Sequence, residues 1–199
     1  MIIFLDIDGV LNQRQDFKDL RAPEDALLAD RYHAWLLEER QGESIFASNQ
    51  QRVEYRLTSR ELAWQLTKLN KTCVAYVAKL IMACQAQVVL SSSWRTSVHW
   101  ETLDKFLTTY YQAAGWEPCL IGQTPWLYPP ARRGDEIRQW LEEHSSVVEY
   151  RIIDDMPPCQ FPGQETYLWQ TRSDSGITLA DFERFMQQIE PMRPSPTAR

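Results

Sequence analysis

Asp6 and Asp8 stand two residues apart directly after the apolar run Ile2-Ile3-Phe4-Leu5, and Asp154 and Asp155 stand together after Tyr150-Arg151-Ile152-Ile153. A strand that served only as core would have no reason to end in two carboxylates. Crowded, desolvated carboxylates repel and raise one another's pKa unless a cation compensates them. Two such pairs, each at the end of an apolar run, call for a divalent ion. Oxygen ligands of this kind suit a hard cation, for which Mg²⁺ is the expected choice. A solvated loop or a purely structural metal site is the plainer alternative for Asp6 and Asp8, and it stays open at this point.

The elements that must position these acids follow from the apolar pattern. Ile2 to Leu5 has the continuous hydrophobicity of a strand covered on both faces, so a buried central strand begins the sequence. Pro23 opens a helix through about Arg40, with Gly42 as its stop. Alternation at Val53, Tyr55 and Leu57 predicts a half-exposed strand, paired as a hairpin with Ser44 to Ala47. Thr58 to Glu61 fits a capping box, and the three- and four-residue steps from Leu62 to Cys84 predict one long amphipathic helix or two in tandem. Val88-Val89-Leu90 is a strand running into Ser91-Ser92-Ser93. A helix over Thr102 to Ala114, a strand at Cys119 to Ile121 and a helix over Gly134 to Glu143 follow. A strand over Val147 to Ile153, another at Thr166 to Trp169 and a helix capped by Thr178 and Asp181 complete the pattern, and the tail 191–199 is expected to be disordered.

Strands separated by helices predict an α/β fold with three layers and a mainly parallel central sheet. Open sheets of that kind bind ligands past the C-terminal ends of their strands, where the acidic and serine clusters fall, so they can share one site. The 199 residues make one domain over 1–190, and 44% hydrophobic with 12% aromatic residues supply a substantial core. A formal charge of −6 argues against indiscriminate attraction to nucleic-acid phosphates but allows a local site. Four widely spaced cysteines, with no C-x-x-C pair, predict buried free thiols rather than a zinc site or disulfide framework. No apolar run is long enough to span a membrane, so no membrane partner and a cytoplasmic location are expected.

Asp6-Ile7-Asp8-Gly9-Val10-Leu11 resembles the first motif of the haloacid dehalogenase (HAD) superfamily, the aspartate-nucleophile phosphatases. The later motifs fall in the expected order: Ser91 after its strand, Arg133 opening a helix, and the acidic pair Asp154-Asp155. Together with Leu90 to Arg95, Gly122-x-Thr124-Pro125 and Arg133-Gly134-Asp135-Glu136-Ile137, they resemble the small HAD domain of bacterial and phage RNA-repair proteins. The resemblance covers most of residues 1–190, least well 13–57.

The resemblance implies a Rossmann-like HAD core and a Mg²⁺-dependent phosphomonoester hydrolase. Asp6 is then the nucleophile that forms an aspartyl-phosphate, and Asp8 the general acid and base. Asp6, the Asp8 backbone carbonyl and Asp154 would hold the ion, with Asp155 as a further ligand or an orienting group. Ser91 would bind a phosphoryl oxygen, with Ser92 its rival in the row of three serines. Arg133 would offset phosphoryl charge, with Arg132 its rival. Gly9 would permit the turn after the nucleophile.

The interval 13–57 is longer than a tight connection needs and is expected to be a small cap inserted after the first strand. A small cap suits a macromolecular substrate, so the expected partner is a phosphorylated substrate, with a nucleic-acid end favoured. The alternatives are a phosphatase of nucleotides or other small metabolites, and a non-catalytic phosphate- or partner-binding module. Trp94-Arg95 and Trp100 read as packing and a surface ion pair in preference to a stacking platform. The strip Arg52, Arg56, Arg60 reads as a solvated face, and His33, His99 and His144 as surface or packing residues.

Overall fold

A computed structural model describes residues 1–13, 23–39 and 59–189. Five strands, β1 (Ile2–Leu5), β2 (Gln87–Leu90), β3 (Leu120–Gln123), β4 (Tyr150–Asp154) and β5 (Leu168–Gln170), form one sheet in the order β3-β2-β1-β4-β5. Every pairing is parallel, which completes the expected mainly parallel sheet. The apolar run of β1 is central and wholly buried, with Ile2 beside both Gln87 and Tyr150.

The helices are α1 (Pro23–Glu39), α2 (Ser59–Leu66), α3 (Lys71–Cys84), α4 (Trp100–Tyr111), α5 (Arg133–Glu143) and α6 (Leu179–Ile189). One face of the sheet presents Ile3, Leu5, Val88, Leu90 and Ile153 to a large core built with α1, α2, α3, α4 and α6. The other presents Ile2, Phe4, Val89 and Ile152 to Ile137 and Trp140 of α5 and to Phe161. The result is three layers around one sheet, an α/β Rossmann-like architecture.

Several boundaries differ from the sequence reading, each for a local reason. Of the two readings offered for the apolar repeat from Leu62 to Cys84, the tandem pair is the one found, because the Asn70 side chain accepts from the amides of Thr72 and Cys73 and starts α3 afresh. β4 begins at Tyr150 rather than Val147, and Val148 is 95% exposed. Residues Glu165–Tyr167 form a 3₁₀ turn, so β5 starts only at Leu168. Thr178 and Asp181 exchange hydrogen bonds at the start of α6, as a capping pair should. All four cysteines are free, but only Cys73 is buried and Cys159, in the turn after β4, is exposed.

Within the expected cap interval, α1 matches the predicted helix and buries Tyr32 and Leu36 in the main core. The ring of Tyr32 meets Phe106 of α4 edge-on at 4.8 Å. The predicted hairpin, Arg52, Arg56 and the tail 191–199 lie outside the described residues. Arg60 is exposed and pairs with Asp30 of α1 at 3.5 Å.

Candidate active site

Side chains alternate between the faces of a strand, and the alternation carries past the strand ends. Asp6 continues the face of Ile2 and Phe4, and Asp154 that of Ile152, so both acids face α5. The first turn of α5 closes over them. Gly134 makes this possible, since a Cβ there would lie 2.8 Å from the Phe161 Cα and 3.0 Å from the Gln160 carbonyl oxygen of the loop after β4. Arg133 is thereby set among the acids, with Nη2 4.0 Å from Asp6 Oδ1 and Nε 3.6 Å from Asp154 Oδ2. Arg132 is exposed, and its amide donates to Asp135 Oδ2 at 2.9 Å.

Ligand atoms of Asp6, Asp154 and Asp155 lie within 4.8 Å of one another. Asp154 is fully buried; its Oδ1 accepts from the Met156 amide at 2.8 Å, while Oδ2 has no hydrogen-bond partner. Burial pushes the Asp6 pKa up to about 6, helped by Asp8 and opposed by Arg133 and a hydrogen bond from the Ser92 hydroxyl. Asp154 is raised by burial and by Asp6, again against Arg133. Burial alone would lower Arg133, but Asp6, Asp154 and Glu136 outweigh it and hold the guanidinium above its ordinary pKa. Arg133 alone facing Asp6, Asp154 and Asp155 leaves negative charge over. An oxygen-only donor set with an orphaned buried oxygen fits a hard divalent ion.

Asp8 is held differently. Its Oδ1 accepts from Asn12 Nδ2 at 2.9 Å and from Trp94 Nε1 at 3.0 Å. The carboxylate of Asp8 is not part of the three-acid group. Gly9 has φ +73°, and a Cβ there would collide with the Asp155 side chain. Both facts restrict the position to glycine. The Gly9 carbonyl accepts from Thr171 Oγ1 at 2.7 Å, which ties the turn after Asp6 to the end of β5.

Asp6, Asp8, Gly9, Ser93, Arg133 and Asp155 line a cleft of about 630 Å³, together with residues of the loops after β4 and β5. Ser91 is fully buried and its Oγ has no hydrogen-bond partner, whereas Ser92 bonds Asp6 and also accepts from the Trp94 amide at 3.4 Å.

Residues 2–182 match the family described as the HAD domain in Swiss Army Knife RNA repair proteins. The chain belongs to that family. Searches of curated proteins and of solved structures find no match to it. HAD domains are hydrolase-type domains that generally use a divalent metal, and this HAD domain has an acidic cluster that could hold such an ion. No helix among the described residues is long and apolar enough to cross a membrane.

Three parts of this HAD domain's site escaped the sequence reading. Trp94 reads as packing in the sequence and Asn12 has no signal there beyond its four-residue step from Asp8, yet both fix Asp8. The expected surface ion pair of Arg95 is a buried one: Arg95 is 2% exposed and bonds Glu136 at 2.5 Å. The short turn after β2 folds Arg95 inward beneath Trp126, whose ring centroid is 5.1 Å from the guanidinium carbon. Ser93, the third serine, is the one that lines the cleft.

Proposed function

We propose that this HAD domain is a Mg²⁺-dependent phosphomonoester hydrolase working through an aspartyl-phosphate, with a terminal phosphate of a nucleic acid as its favoured substrate. The observation that carries the reading is the group of Asp6, Asp154 and Asp155 facing Arg133, with an orphaned oxygen on Asp154. The carboxylates of Asp6, Asp154 and Asp155 and the backbone carbonyl of Asp8 would hold the ion. The chemistry that Mg²⁺ supplies when bound is charge compensation between Asp6 and a dianionic phosphate.

The residues of the chain divide the remaining work. Asp6 attacks phosphorus in line, and the ester P–O bond breaks as the Asp6 O–P bond forms. Asp8 gives its proton to the leaving oxygen. It then takes a proton from the water that hydrolyses the acyl-phosphate, releasing inorganic phosphate and restoring Asp6. Asn12 and Trp94 both hold Oδ1 of Asp8, so Oδ2 is the oxygen that carries the proton. Arg133 and the start of α5 offset phosphoryl charge, the helix N-terminus adding its own positive field. The serine loop after β2 supplies hydroxyl donors, with Ser91 and Ser92 as the phosphate-binding pair.

The nucleic-acid substrate is supported by the RNA-repair description of the family. A small phosphorylated metabolite is the second reading, favoured by the acidic balance and by Arg138 and Arg172, which are neutralised by Asp135 and Asp174. Phosphate release from a panel decides between them: oligonucleotides with a 3′ or 5′ phosphate, mononucleotides, sugar phosphates and an aryl phosphate, with and without Mg²⁺. Turnover of oligonucleotides is expected. Turnover of mononucleotides alone rejects the nucleic-acid substrate, and Mg²⁺-independent turnover rejects the metal.

A further inference from the structure

Arg95 and Glu136 form an ion pair that no step above uses, and both are almost wholly buried. Arg95 comes from the turn after β2, and Glu136 from the first turn of α5, three residues beyond Arg133. Arg95 Nη2 meets Glu136 Oε2 at 2.5 Å, and its Nη1 donates to the Ser92 carbonyl. The second oxygen, Glu136 Oε1, accepts from the Leu127 amide at 3.1 Å. Glu136 Oε2 also stands 3.6 Å from Arg133 Nη1. One carboxylate therefore ties together the loop after β2, the loop after β3 and the cation of the cleft.

A buried ion pair is a poor source of stability, because desolvation offsets most of its attraction. Its place beside the cleft points to a geometric task. Arg133 has carboxylates at each of its nitrogens: Asp154 at Nε, Asp6 at Nη2 and Glu136 at Nη1. Without Glu136, the guanidinium would be drawn only toward Asp6 and Asp154, into the space a phosphoryl group must enter. Glu136 pulls from the opposite side. Arg95 cancels its charge, so Arg133 keeps its net attraction for an anion.

We propose that Glu136, held by Arg95, is a positioning residue that sets the Arg133 guanidinium for the transferred phosphoryl group and locks it to the serine loop. The proposal deepens the hydrolase reading and rests on it. With an aryl phosphate, Glu136→Gln is expected to lower kcat by about tenfold or more while KM moves by less than about threefold. In an Arg133→Ala background the same change should cost less than about twofold, since there is no guanidinium left to position. An equal loss in both backgrounds overturns the proposal.

Glu136→Gln leaves Arg95 unpaired in the interior, so the double variant Arg95→Met, Glu136→Gln, which buries no lone charge, is measured beside it. It should show the same kcat loss; a folded double variant with full kcat overturns the idea. Orthovanadate binding in the presence of Mg²⁺, followed by calorimetry, separates the two levels. Glu136→Gln should weaken it in the wild-type background and leave it unchanged in Arg133→Ala. A wild type inert on every ester rejects the hydrolase reading, and the vanadate titrations then decide on Glu136 alone.

Discussion

Each of β1 and β4 delivers one acid that continues the alternation of the strand and one in the turn beyond it. Asp6 and Asp154 are buried against α5, share Arg133 and have raised pKa values. Asp8 and Asp155 are half-buried and line the cleft, and Asp8 is fixed by two donors that have no other charge to serve. The inner pair is an electrostatic load that Arg133 relieves only in part. The outer pair sits where a proton or a water can reach it. Strand geometry alone thus separates four chemically identical side chains into two kinds.

Replacing the inner acid of β1, the proposed nucleophile, should have the largest effect. Asp6→Asn is expected to abolish phosphate release, a loss of at least about a thousandfold measured by single-turnover assay. Retained turnover would remove Asp6 from the chemistry and dissolve the distinction. Asp8→Asn comes next, with a loss of about a hundredfold to ten-thousandfold on an alkyl phosphate. The loss should shrink on an aryl phosphate whose leaving group needs no proton; an equal loss on both would show that Asp8 is not the acid.

Smaller effects sharpen the same contrast. Asp154→Asn should weaken Mg²⁺ binding by about tenfold or more in calorimetric titration, and Asp8→Asn should leave it nearly unchanged if only the backbone carbonyl of Asp8 is a ligand. The smallest expected effect is on stability. Asp6 and Asp154 have folded pKa values above the ordinary 3.8, so the folded state binds more protons than the unfolded one. The contribution of Asp6 is present in full below that value and is lost as pH climbs through about 6, and that of Asp154 is lost as pH rises through its own raised pKa. In chelator, the melting temperature of Asp6→Asn should fall less than that of the wild type between pH 4 and 7, a difference of about a few degrees. Parallel curves would mean that the inner pair carries no such load.

Much of this was legible from residue order. The acids after Leu5 and Ile153, the serines after Leu90 and the arginine opening α5 are local signals, and a parallel sheet brings strand ends to one edge. What could not be read depends on how loops fold back. Trp94 and Arg95 are adjacent, yet one turns to Asp8 and the other to Glu136, because the Ser93–Thr96 turn splits them. Hydrophobic spacing left one helix or two open over Leu62 to Cys84, since the apolar step continues across the break at Asn70. It also could not show that Val148 is exposed, since it has the composition of a strand but pairs with nothing.

The central place of β1 has a kinetic consequence. Its neighbours are β2 and β4, so the register partners of Ile2 are Gln87 and Tyr150, both far along the chain. Contacts of such long sequence separation form late, after loop closure has been met. During synthesis Asp6 emerges 148 residues ahead of Asp154. A nascent chain therefore carries Asp6 without its partner acid or the guanidinium, and the acidic cluster comes together in the same late event that completes the sheet.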